Sequence, residues 1–318
     1  RGRQKGPLRG HGSLRLDTHE FAARADSECD PNAVLSLLTR NQARVISSLV
    51  FKQTPPSLQM NVSGDFDNPK LFQMKGHFRG TNFSYNGAAI TSFDSDAAVS
   101  NGVLTFHPMI AAREEGRVEG LVAIDFDNEK VILDATRTCD PYMVGRIIGP
   151  NAEKFLRTFR FEGPAFVAAR GMVDLGTWET TDIRGSAELQ KAGMDWLLID
   201  RGRFDLRVLG TQLFFTNVVG SVYDGSFTGH VSFADIDQAS NVSYRAEGSV
   251  TNIDFSQLMF AMRKVGGDPY KGSLSGEVAF GGVVGKDTCR TVTGEGRLSI
   301  KNGHLFQIRL LGGLSQLL

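Results

Sequence analysis

A short pattern returns after about 110 residues, and that interval constrains the fold more than any other feature of the chain. Cys29-Asp30-Pro31-Asn32-Ala33-Val34 recurs as Cys139-Asp140-Pro141-Tyr142-Met143-Val144, and a weaker third copy is Ile253-Asp254-Phe255-Ser256-Gln257-Leu258. Upstream landmarks keep nearly the same interval: Gly12-Ser13-Leu14, Gly120-Leu121-Val122 and Gly229-His230-Val231. Gly80, Gly185 and Gly296 repeat it downstream. Several landmarks in one order indicate a modular array rather than unrelated domains. The spacing divides the chain into 1–50 as the end of a first unit with its helix, 51–160 and 161–266 as two further units, and 267–318 as the start of another.

Within each unit the hydrophobic period is two, the mark of a strand with one apolar face. Met60, Val62, Gly64 and Phe66 alternate with Asn61, Ser63 and Asp65. Phe72, Met74, Gly76 and Phe78 alternate with Gln73, Lys75, His77 and Arg79. Val242, Tyr244, Ala246, Gly248 and Val250 do the same, as do Leu298 and Ile300. Turn chemistry separates these runs at Asp67-Asn68-Pro69, Asn86-Gly87, Asn101-Gly102, Asp224-Gly225 and Asn302-Gly303. About seven strands fall between the second and third Asp markers. The expected fold is therefore mainly β: antiparallel meanders of about seven strands and one helix, repeated every ~110 residues.

Each Asp marker opens a helix. An aspartate accepts hydrogen bonds from the free N–H groups of a first turn, so Asp30, Asp140 and Asp254 are expected N-caps. Pro31 and Pro141 fit the first helical position, where a missing N–H is no loss. The helices are expected over 31–50, 141–159 and 255–265, with Phe155, Leu156 and Phe159 as an apolar stripe that packs onto the sheet. Seven strands at ~4.8 Å set equivalent positions ~34 Å apart, so Cys29 and Cys139 cannot form a disulfide, which needs Cα atoms within ~7 Å. They read as small buried hydrophobes. The third cysteine, Cys289, belongs to no metal-binding spacing.

Charge excludes one class of partner. The 35 basic and 35 acidic residues are scattered without blocks, which is not the electrostatic footprint of a nucleic-acid binder. Glycine, 36 of 318 residues, follows no collagen period. Both ends read as cuts through a longer chain: there is no initiator Met or signal sequence, and the chain stops within the apolar run Leu305 to Leu318, a lipid-facing segment or a helix capping the sheet.

Catalytic motifs are missing. His19-Glu20 has no second histidine at metalloprotease spacing, and no GxSxG elbow occurs. Gly281-Gly282-Val283-Val284-Gly285-Lys286-Asp287 has the wrong gap for a phosphate loop and ends in Asp where Ser or Thr is required. His11, His19, His77, His107, His230 and His304 are dispersed, and the sequons at Asn61, Asn82 and Asn241 lie in strand-like stretches. Neither a cofactor nor a metal is expected, and the chain reads as a non-enzyme.

The segment Thr293-Gly294-Glu295-Gly296-Arg297-Leu298-Ser299-Ile300-Lys301-Asn302-Gly303-His304-Leu305, followed by Ile308-Arg309-Leu310-Leu311-Gly312-Gly313-Leu314, resembles the AsmA-like family of bacterial envelope proteins, which includes AsmA, TamB and YhdP. The ~110-residue unit extends the likeness loosely over most of the chain. The resemblance implies a curved, groove-like β-sheet in the periplasm, anchored to the inner membrane by a segment outside this sequence. Its apolar inner face would carry phospholipid acyl chains between inner and outer membranes, in outer-membrane homeostasis. The residues expected to line such a groove are Met60, Val62, Phe66, Phe72, Met74, Phe78, Val122, Ile124, Phe126, Val231, Phe233, Tyr244, Leu298 and Ile300. Alternation alone fits a face sealed as a core better than an open groove. The competing expectation is a structural or assembly protein of the envelope: a β-rich scaffold or an assembly factor for outer-membrane proteins.

Overall fold

The computed structural model describes residues 6–52, 54–113, 116–138, 141–142, 150–163, 165–194, 197–238, 241–264, 270–284 and 288–303. Eighteen strands run through them, and the chain is mainly β, as the period-two patterning requires. It divides into two units, residues 1–149 with 168–183, and 150–167 with 184–318.

The first unit is an antiparallel meander. It contains β1 (Leu8–Leu14), β2 (Glu20–Ser27), β3 (Leu49–Phe51), β4 (Ser57–Asp65), β5 (Gln73–Tyr85), β6 (Ala88–Ser100), β7 (Val103–Ala112), β8 (Arg117–Asp125) and β9 (Lys130–Thr138). From β4 to β9 each strand pairs with the next, β2 pairs with both β1 and β4, and β3 lies against β5. β11 (Ala165–Asp174), most of which belongs to this unit, follows β9. The second unit holds β10 (Arg160–Phe161) against β12 (Asp182–Met194), and then β13 (Leu197–Leu209), β14 (Gln212–Val222), β15 (Gly225–Ala234), β16 (Ser243–Asp254), β17 (Ser273–Val283) and β18 (Thr293–Lys301) in sequential order. In each unit the row of strands stays open: among the described residues its first and last members are not paired with each other.

Local chemistry fixes the hairpins. Asn86-Gly87 and Asn101-Gly102 both have positive φ at each residue, the backbone that two-residue hairpins need. At the β14–β15 hairpin the two left-handed residues are Tyr223 and Asp224, one position earlier than the sequence signal Asp224-Gly225. Gly225 instead starts β15, where a Cβ would meet the Ile253 amide nitrogen at 2.6 Å.

The helices depart from the expected spans. Residues 31–50 do not form one helix. Asp30 accepts from the Asn32 N–H at 2.9 Å and opens a 3-10 turn, Pro31–Leu37. Leu38 is extended, and Thr39 then caps α1 (Arg40–Ser47) with a capping box to Gln42. That second cap competes with continuation of the first turn. Residues 141 and 142 are helical, and α2 (Pro150–Leu156) follows within the expected 141–159. Asp140 and Cys139 lie outside the described residues. α3 (Phe255–Arg263) is capped by Asp254, which accepts from the Gln257 N–H at 2.9 Å, and ends at Lys264 in the left-handed conformation. A short α4 (Thr288–Thr291) precedes β18. Cys29 is a free, part-buried thiol whose Sγ donates to the Gly6 carbonyl.

Candidate functional site

Directly opposed residues of antiparallel strands share a face, so register shows which side chains stand together. In the first unit three rows cross the strands. Val62, Met74, Val99, Leu104, Ile124 and Val131 form one continuous row from β4 to β9. Met60, Gly76, Ala97, Phe106, Val122 and Leu133 form the next. Leu58, Phe78, Ser95, Met109 and Gly120 form the third. The register thus gathers the expected Met60, Val62, Met74, Phe78, Val122 and Ile124 on one face. It adds Val99, Leu104, Phe106, Met109 and Leu133. The parity of β7 hid some of these, because a bulge between Phe106 and Met109 puts Met109 on the same face after a three-residue step. Phe78, Phe93 and Phe106 touch edge to face at 5.4–6.3 Å between ring centroids.

The opposite face of the same strands is charged. His77 faces Asp96 at 2.9 Å and Arg79 faces Asp94 at 2.8 Å. The Arg79 guanidinium, followed by His77, holds the Asp94 carboxyl below the usual carboxylate range.

In the second unit the rows are Leu213, Phe233, Tyr244 and Gly282, then Phe215, Val231, Ala246 and Phe280, then Val218, Gly229, Gly248 and Val278. Leu298 continues a fourth row from Phe227, Val250 and Gly276, and Ile300 faces Leu274. His230 and Glu247 share the other face at 3.4 Å, with Arg245 on Glu247 at 2.7 Å.

Coverage of the two apolar faces is uneven. Phe233 is only 6% exposed: α2 lays Phe155, itself 6% exposed, at 5.6 Å from its ring, and Phe159 adds a second contact at 6.2 Å. Tyr244 is buried beside it at 6.3 Å. In the first unit Phe126 is buried at the β8–β9 turn, where Asn41 of α1 donates to the Phe126 carbonyl at 3.1 Å and Arg44 pairs with Glu129 at 3.0 Å. α3 sets Phe255 and Leu258 against a core of Val222, Ile253 and Leu274, with Ile300 packed on it. Phe126, Phe233 and Tyr244 are therefore core rather than free lining. By contrast, Met60, Val62, Phe72, Met74, Phe78, Val122, Ile124 and Val231 keep part of their surface in solvent. No second sheet lies against this face among the described residues.

Two expected lining residues stand apart. Phe66 is 65% exposed and falls after β4, because the Asp65 side chain accepts the Asp67 N–H at 2.7 Å and turns the chain; its ring lies 4.7 Å from Phe21. Leu298 has the right face, but it stands 57% exposed on the last described strand.

Other chemistry is sparse. Asp174 ends β11, and from the connection to β12 the Thr180 hydroxyl and the Thr177 and Gly176 amides donate to it and hold its carboxyl at about 2. Among the described residues no three His, Cys, Asp or Glu side chains are grouped to hold a metal ion, and no helix is long and apolar enough to cross a membrane. Residues 285–287 of the phosphate-loop look-alike and 304–318 lie outside the described residues. No protein-family description, characterised protein or solved structure matches this chain.

Proposed function

We propose that the chain is a segment of an AsmA-like periplasmic protein, built from repeated units, whose apolar strand faces carry phospholipid acyl chains between the inner and outer membranes. The observation that carries this reading is the set of cross-strand rows from Val62 to Val131 and from Met60 to Leu133, apolar along their whole length and part-exposed at every member but the buried Ala97, with charge confined to the other face. A buried methylene gains ~0.8 kcal/mol, so a 16-carbon chain crossing water unaided meets a barrier on the order of 12 kcal/mol. Contact with such a row lowers that barrier without any reactive side chain.

Element positions support the repeat. β4, β11 and β17 begin at Ser57, Ala165 and Ser273, and β5, β12 and β18 at Gln73, Asp182 and Thr293. β6 and β13 begin at Ala88 and Leu197, and β7 and β14 at Val103 and Gln212. The bulge between Phe106 and Met109 reappears between Phe215 and Val218. Glycines on the apolar face of each unit support local curling of that unit's strands toward the face. A Cβ at Gly76, Gly229 or Gly248 would come within 2.1–2.3 Å of a carbonyl oxygen on the adjoining strand, a crowding expected on a concave side.

The covered stretch around Phe233 favours a second reading, a β-rich envelope scaffold or assembly factor. Gentle purification followed by lipid mass spectrometry separates the two. Co-purified phospholipid that Met74→Asp or Val122→Asp abolishes, and Met74→Leu retains, supports acyl-chain carriage. Protein free of lipid, or equal loading of all variants, rejects it.

A further inference from the structure

Building on the acyl-chain reading proposed above, we infer that α2 is a displaceable lid on the second unit's apolar face, whose rings hold the place that an acyl chain takes on the first unit's face. The two faces are built alike where the lid lies. The register that sets Gly120 beside Gly229 also sets Leu104 and Ile124 beside Leu213 and Phe233, and the bulge after Phe106 beside the bulge after Phe215. Leu104 directly opposes Ile124, as Leu213 opposes Phe233. On the first unit this pair is part-exposed and leads on to a part-exposed Val131. On the second, Leu213, Phe233 and the next member, Tyr244, are all buried.

The cover is aromatic. Phe155 and Phe159, with ring centroids 5.4 Å apart, both lie on Phe233. α1, at the corresponding place in the repeat, meets the β8–β9 turn through Asn41 and Arg44, and the row from Leu104 to Val131 stays part-exposed. The lid also has an edge. In the next row Phe215 is part-exposed and 5.8 Å from Phe233, and Phe280 is 39% exposed and 6.2 Å from Tyr244. An apolar chain lying along Phe215, Val231 and Phe280 therefore already touches the side chains that the lid covers.

Such a contact can be exchanged. The side chains of Phe155, Phe159 and Phe233 carry no hydrogen-bonding group, so replacing ring-on-ring contact by acyl-on-ring contact leaves no donor or acceptor of theirs unpaired. A strap joined to the face by ion pairs would have to give them up first. α2 has seven residues, too few for a helix that stands by itself in water, and elements that move are drawn from the low-stability end of a fold. It leads into β10, two residues paired with Ala192 and Gly193 of β12, so lifting α2 leaves the long strands paired as they are.

The test uses the whole chain and dansylaminoundecanoic acid, a fluorescent fatty acid kept below its micellar concentration. Amide hydrogen exchange, read by mass spectrometry over residues 150–161, should speed up at least about fivefold at saturating probe, while β15 and β16 keep their protection. Phe155→Ala removes a ring that competes for the face, so it should tighten probe binding about three- to tenfold by raising the fraction of chains open to it. Phe155→Leu keeps an apolar cover and should stay within about twofold of the unaltered chain. Unchanged or slowed exchange over α2, with probe bound in a manner that Met74→Asp weakens, overturns the lid and leaves acyl-chain carriage standing. Equal affinity of a folded Phe155→Ala has the same meaning, and if that variant does not fold, exchange in the unaltered chain decides alone. Faster exchange across β13 to β16 as well would mean unfolding by the probe and also overturns the lid. A probe that binds no variant removes the carriage reading, and the lid with it.

Discussion

Replacing a phenylalanine by alanine at two positions with similar sequence patterning should have unequal costs, and the inequality measures how far each apolar face is covered. Phe233 is 6% exposed and has four aromatic neighbours, Phe155, Phe159, Phe215 and Tyr244, with centroids at 5.6–6.3 Å. Truncating so enclosed a ring should cost about 3–5 kcal/mol, since the cavity adds to the lost transfer energy. Phe78 faces Phe93 and Phe106 but keeps part of its surface in water. Its truncation opens a dent that solvent reaches, so roughly 1.5–2.5 kcal/mol is expected. For units of this size 1 kcal/mol moves a melting midpoint by about 2–4 °C. Phe233→Ala should therefore lower the midpoint of its unit by about 10 °C, and Phe78→Ala by about 5 °C. Urea titrations followed by far-UV circular dichroism supply the check, read as midpoint shifts at unchanged slope. Equal losses for the two variants would refute the claim that the face at Phe78 is open.

The Asp174 carboxyl, held at about 2 against an ordinary 3.8, makes a contribution to stability that is complete above the ordinary value and disappears as pH falls through about 2. An NMR titration should place its midpoint near the lower value, and Thr180→Val, which removes the largest cause, should move it upward. Asp254→Ala removes the carboxylate that accepts the Gln257 N–H and should cost about 1 kcal/mol, read from equilibrium unfolding, whereas Asp254→Asn or Asp254→Ser should restore most of it. Gly248→Ala places a methyl group 2.1 Å from the Thr228 carbonyl oxygen and should destabilise by about 1–3 kcal/mol; a neutral result in thermal unfolding would mean that β15 and β16 separate there without strain.

What could be read beforehand was local. The strands around Met60, Met74 and Tyr244 follow from alternation, and the Asn86-Gly87 and Asn101-Gly102 hairpins from the left-handed backbone those residues tolerate. Phe66 was misplaced because alternation continues for one more step after Asp65 has begun the turn; the side chain that ends β4 is polar and leaves the hydrophobic pattern intact. The helix over 31–50 broke for a reason present in the sequence: Thr39 and Gln42 have capping-box spacing and compete with the earlier Asp30 cap. Bulges were not legible. They insert a residue without a compositional signature, so Met109 and Val218 could not be assigned a face until the register was known. The apolar stripe of Phe155, Leu156 and Phe159 points to a helix packed on the sheet, but its target, Phe233, lies far along the chain, and no local rule predicts that contact.

Those failures bear on function in one direction. Alternation says that a face is apolar, but not whether anything lies on it, and the structure answers differently in the two units. Where a helix reaches the sheet, as Phe155 does at Phe233, the side chains are core, and a charge there should unfold the unit before it could impede a ligand. Where none of the described helices does, as along Val62, Met74, Val122 and Ile124, the same pattern leaves part-exposed carbon beside a charged opposite face. A protein that needed only a core would gain stability from completing the cover, because each part-exposed apolar side chain leaves some of its transfer energy unrealised. Short helices that cover a few positions and leave rows of others open cost stability without an evident folding advantage. Under the proposed function, contact with an apolar ligand along those rows would recover it, and for that reason substitutions meant to test carriage belong at Met74 and Val122, and not at Phe233.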